Sequence, residues 1–135
     1  MKRLSLVIIL ILTVMAVLVG CKKEQEGASE GGMKVYTSFY AMTDFVQKIA
    51  GDKVAVVTLV PDGTEPHEWE PTATDIAKLT EADLFIYSGA GFEGWVDKVI
   101  SVLDADKTLV IETAKGIPTI EGHEGGVDPH VWLDP

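Results

Sequence analysis

The chain has 135 residues, 47% of them hydrophobic, with 21 acidic against 11 basic side chains and a formal net charge of −10. That length supports one modest domain besides any targeting segment, and the acidic balance disfavours a nucleic-acid partner, whose phosphates it would repel. A single cysteine excludes an internal disulfide framework.

At the N-terminus, Lys2 and Arg3 precede the apolar run LSLVIILILTVMAVLVG, which ends at Cys21. This is the shape of an export signal. The run is also about the shortest that spans a bilayer, so a retained membrane anchor is the competing reading. The tetrapeptide LVGC, residues 18–21, resembles the bacterial lipobox, in which the cysteine is diacylated and becomes the new N-terminus. Residues 1–20 are therefore expected to be a lipoprotein signal peptide, and Cys21 the lipidation site. Two acyl chains hold a protein stably at a membrane where one does not, so the mature chain is expected to be lipid-anchored outside the cytoplasm. The following KKEQEGASEGG has no large apolar side chain and reads as a flexible tether, so residues 21–32 are expected to be the acylated cysteine and its tether.

Residues 33–135 alternate between two periodicities. MKVYTS reads as a strand, and Met42, Phe45, Val46 and Ile49 then recur at helical spacing before Gly51. VAVVTLV, residues 54–60, is a β-branched run of the buried-strand type. TATD, residues 72–75, is placed to cap a helix carrying Ile76 and Leu79. DLFIYSG is a third strand, Phe92, Val96, Val99, Ile100 and Leu103 form a helical stripe, and TLVIETA is a fourth strand. Strand and helix alternating in this way predict an α/β fold, a parallel four-stranded sheet flanked by helices.

Ligands of such sheets collect at the carboxyl ends of the strands. His67 follows the second strand and His130 the fourth, so both are expected on the same rim. Two stretches, His67-Glu68 and His123-Glu124, begin like a helical zinc-protease motif. That motif needs a second histidine one turn later, where Pro71 and Val127 stand. Gly89, Gly91 and Gly94 spell a literal G-x-G-x-x-G between a strand and a helix, with Glu112 closing the next strand, which is the dinucleotide-binding fingerprint. Against it, Glu93 would put a carboxylate beside the pyrophosphate and Trp95 would crowd the helix, so a glycine-rich turn is the stronger reading. The remaining possibility is metal: His67 and His130 sit in proline-stiffened loops, with Glu65, Glu68, Asp128 and Asp134 near enough in sequence to orient an imidazole. No activated serine, nucleophilic cysteine or paired acid supports catalysis, so a binding protein rather than an enzyme is expected.

The segments VYTSFY, LVPDGTEPHEWEPTATDIAKLTEADLFIYSGAGFEGWVDKV and DPHVWLDP resemble the ZnuA/TroA-like family, the solute-binding lipoproteins of ABC-type zinc and manganese importers. The resemblance covers essentially everything after the tether. It implies that residues 33–135 are the N-terminal lobe of a two-lobed metal-binding protein, with His67 and His130 as its metal ligands. It also implies further ligands in a second lobe beyond Pro135, so the chain is expected to be the N-terminal portion of a longer protein. The implied function is capture of a divalent ion and delivery to a membrane ABC permease, by a protein that is monomeric at full length. Zinc is favoured over manganese as the transported ion, because Trp69 and the TIEGHEGG loop resemble the zinc branch; His123 of that loop is left out of the site. An adhesin or host-interaction lipoprotein of the same fold is the alternative.

Replacing Cys21 with Ser is expected to abolish incorporation of labelled fatty acid by expressing cells. Label retained in the variant would overturn the lipobox reading.

Overall fold

The computed structural model describes residues 32–122 and 125–133. The signal-like segment, Cys21, the tether up to residue 31, His123 and Asp134 lie outside them. The elements are β1 (Met33–Thr37), α1 (Tyr40–Ala50), β2 (Val54–Thr58), α2 (Ala73–Leu79), β3 (Leu84–Tyr87), α3 (Val96–Ile100) and β4 (Leu109–Glu112). All four strands run parallel in the order β2-β1-β3-β4, the α/β sheet that the alternating periodicities predict. Past the end of β2 the pairing continues, since Leu59 N donates to Thr37 O and Val60 N to Ser38 O, each at 2.9 Å. The predicted strand over 54–60 is therefore held along its whole length.

The two faces of the sheet are covered unequally. Registered partners in a parallel sheet point to the same side. Tyr36 and Phe85 are aligned and buried, packed in one cluster with Leu79, Trp95, Val96 and Val99. On the opposite face α1 lies over β1 and β2, where Thr43 Oγ1 meets Thr37 Oγ1 at 2.5 Å and Thr58 Oγ1 at 2.6 Å. That hydroxyl chain fixes which side of α1 faces the strands. It corrects the expected stripe, because Met42 is buried but Phe45 is exposed and Ile49 is 87% exposed. The same placement leaves the β4 end of this face open, with Leu109 62% exposed and Ile111 also exposed.

α2 starts where the sequence places it. Thr72 Oγ1 accepts from Asp75 N at 3.2 Å, and the Asp75 carboxylate accepts from Thr72 N at 2.9 Å and from the Thr72 hydroxyl at 2.7 Å. These hydrogen bonds, the side-chain one first, hold the Asp75 carboxyl below its usual range.

α3 is shorter than the predicted stripe, five residues rather than a helix reaching back to Phe92. Gly89, Ala90 and Gly91 all adopt positive φ, at 86°, 52° and 84°, and Phe92 N donates back to Gly89 O at 3.0 Å. A turn of that hand cannot be the first turn of a right-handed helix. Its anchor is Glu93, only 3% exposed, whose two carboxylate oxygens accept from Ser88 N at 2.8 Å and Gly89 N at 3.0 Å. Gly89 has no alternative there: a Cβ would collide with the side chain of Glu112.

Two stability measurements follow. Glu93→Ala leaves two buried amides without acceptors and is expected to cost about 3 kcal/mol in denaturant unfolding, with Glu93→Gln losing roughly half as much. A loss below the error of the measurement would mean that water replaces the carboxylate. Thr72→Ala is expected to cost about 1 kcal/mol at neutral pH. Because the folded carboxyl of Asp75 titrates below its unfolded value, its share of that stability is present above the ordinary carboxylate range and is lost as pH falls through the lowered value. The gap between wild type and variant should therefore narrow in strong acid; a gap undiminished at about pH 2 would remove the Asp75 charge from the cap.

Candidate metal centre

The loop after β2 carries His67. Thr64 N donates to Pro61 O at 3.1 Å and Gly63 takes φ 79°, so the chain reverses before Pro66 delivers it to His67. Beyond the histidine, Trp69 packs edge-on against the buried Trp95, with ring centroids 5.0 Å apart at 78°. An exposed ion pair, Lys98 to Glu70 at 3.5 Å, lies just past it. The contact of Trp69 with Trp95 ties the loop to the core just past His67.

His130 arrives differently. Glu121 and Val127 form an antiparallel bridge, Gly122 N donates to Gly126 O at 3.0 Å, and Asp128 N donates to Ile120 O at 3.0 Å. This small hairpin hands the chain to a short 3-10 turn, Val131–Leu133. Asp128 Oδ1 accepts from the backbone N–H of His130 at 2.9 Å and stands 2.7 Å from its ring Nδ1. A carboxylate offers acceptors only, so in the neutral ring the hydrogen sits on Nδ1 and the lone pair on Nε2. Asp128 thus orients His130 as a nitrogen donor.

The structure brings the two sequence-predicted histidines together: their ring centroids are 5.5 Å apart at 74°. Both lie against Phe92, which is 4.3 Å from the ring of His67 and 5.9 Å from that of His130. Trp132 closes the group, 4.5 Å from Phe92 and 5.4 Å from His130. Among the described residues no third histidine, cysteine or carboxylate joins them in a metal-sized cluster. Of the four carboxylates expected to orient imidazoles, Asp128 does so at a ring nitrogen, whereas Glu65 meets the backbone N–H of His67 at 3.4 Å. Asp134 lies outside the described residues.

In the turn that holds Gly89, Gly91 and Gly94 the carboxylate of Glu93 takes the amides of Ser88 and Gly89. Glu112, the expected ribose acid, is engaged with Tyr87 and packed on Gly89, which favours the glycine-rich turn over the nucleotide reading. What sequence reasoning missed was the position of Phe92, assigned there to a helical core stripe. The flanking pair Gly91 and Gly94 was the available signal that this residue stands on a turn.

The ZnuA family model, described as a zinc-uptake complex component A, periplasmic, matches residues 35–135. The zinc-binding lipoprotein AdcA of Streptococcus pneumoniae is 34% identical over 149 residues, covering 100% of this chain and 29% of its own length. The manganese-binding lipoprotein MntA of Halalkalibacterium halodurans is 37% identical over 127 residues, covering 92% of this chain and 42% of its own. The crystal structure of Zn(II)-bound AdcA from Streptococcus pneumoniae superposes with a TM-score of 0.69 at 39% identity, covering 76% of this chain and 22% of that one. The chain spans under half the length of each of these relatives. With its parallel sheet, its paired rim histidines and a family match over most of its length, the chain belongs to the ZnuA family of metal ABC transporter solute-binding proteins, a family of binding components rather than enzymes.

Proposed function

We propose that this chain captures a divalent metal ion outside the cytoplasm, with His67 and His130 as ligands, for delivery to an ABC permease. The observation that carries the reading is the separation of the two rings. Two imidazoles sharing one tetrahedral ion, each with a metal–nitrogen distance of about 2.0–2.1 Å, have ring centroids roughly 5 Å apart. The 5.5 Å found here is within reach of that arrangement by small side-chain rotations. Nitrogen donors favour zinc over the harder, oxygen-seeking manganese. Relatives named as zinc-binding and as manganese-binding lipoproteins support metal as the cargo and a lipid anchor, here on Cys21, as the means of retention.

Two ligands do not close a tetrahedral shell. In the full protein a second lobe, following residues 33–135, supplies the others, and the complete molecule acts as a monomer. Water completes the shell when only these two histidines are present, so the affinity of this chain is modest.

Competition titration against a chromophoric chelator tests the assignment. His67→Ala and His130→Ala should each weaken zinc binding by at least about tenfold, and Asp128→Asn by about tenfold through loss of imidazole orientation. Zinc affinity unchanged in both histidine variants would overturn the site.

A further inference from the structure

We propose that Phe92 is the positioning residue of this centre: its ring fixes both imidazoles before metal arrives, and the glycine-rich turn exists to mount it. This inference rests on His67 and His130 being the metal ligands. Phe92 is the side chain that faces both of them, at 4.3 Å and 5.9 Å between ring centroids, inclined 63° and 75°. Edge-to-face packing of that kind is favourable and directional, and it narrows the torsional range open to an imidazole. Because the two histidines come from loops separated in sequence, nothing local fixes one relative to the other. Phe92 supplies the common reference.

The mount is built for this purpose rather than for the core alone. Ala90, a residue with a Cβ, is held at φ 52° between two glycines that are also at positive φ. Backbone strain of this sort persists where surrounding structure enforces it, and it concentrates at functional sites. The enforcing contact is the buried carboxylate of Glu93 on the amides of Ser88 and Gly89. Two further aromatic rings pack on Phe92, Phe39 at 4.6 Å and Trp132 at 4.5 Å, and these restrict its movement. Phe92 is 4% exposed, so its position is as firm as that of the core. A ligand pair ordered in advance loses less conformational freedom on binding, which raises affinity without any new contact to the ion.

A purely structural role makes a different prediction. Phe92→Met keeps an apolar side chain of similar volume in the core but removes the flat ring; Val99→Ala damages the same core away from the histidines. Zinc affinity and thermal unfolding are measured for the wild-type chain, both variants and His67→Ala. The expected result is a roughly tenfold loss of zinc affinity in Phe92→Met, the order seen when groups that orient metal ligands are removed, with Val99→Ala binding as wild type despite melting lower. Equal affinity in wild type and Phe92→Met, alongside a clear loss in His67→Ala, overturns the positioning role and leaves the metal site standing. Zinc binding indifferent to His67→Ala overturns both. A measurement on the metal-free wild type covers the case in which Phe92→Met fails to fold: the ring carbon order parameter of His67 should match rigid structure, and a value below about 0.6 overturns the proposal.

Discussion

The arrangement depends on one buried carboxylate. Glu93 sits where β3 ends and accepts two backbone amides, which compensates both the charge and the amides for leaving water. The turn it closes carries Phe92 and leads directly into Trp95, both in the buried cluster, so two loops are referenced to one short stretch. Trp69 rests on Trp95, and His67 rests on Phe92. His130 and Trp132 reach the same ring from the far end of the sheet.

The strand order explains why those loops meet. β1 and β3 are central, and the helices that follow β1 and β3 lie on opposite faces of the sheet. A crevice forms at the carboxyl ends of such strands, where the chain departs in both directions. Its floor is Phe39, just after β1, and Phe92, just after β3. The histidines come from the outer strands: His67 follows β2 and His130 follows β4, each loop folding inward over the central pair. The two histidines thus stand on loops, while the ring they share stands on the turn between β3 and α3.

Much of this was legible in the sequence because it is written in local chemistry. Alternating β-branched runs and apolar stripes gave the parallel sheet; Thr72 and Asp75 gave a helix start that the hydrogen bonds reproduce. Proline and aspartate around His130 pointed to an oriented imidazole, and Asp128 provides it. The failures are equally physical. Helical periodicity cannot say which part of an apolar stripe will be covered, and α1 was turned by hydroxyl contacts among Thr37, Thr43 and Thr58 that span three elements. Glu93 was legible as an obstacle to pyrophosphate but not as the acceptor that closes the turn, since its partners, Ser88 N and Gly89 N, are backbone amides with no sequence signature. Phe92 looked like a core residue and is one; the positioning role proposed for it depends on two histidines remote in sequence.

The central position of β1 also shapes how the chain folds. Its edge toward β3 must wait for residues far along the chain, as the contact between Lys34 N and the Asp83 carboxylate, 49 positions apart, makes concrete. Parallel pairing over such separations demands loop closure before any ladder forms and is slow relative to helical folding. Until that closure is made the β3-facing edge of β1, which carries Val35 and Tyr36, is unprotected, and pairing between chains competes there with pairing inside one.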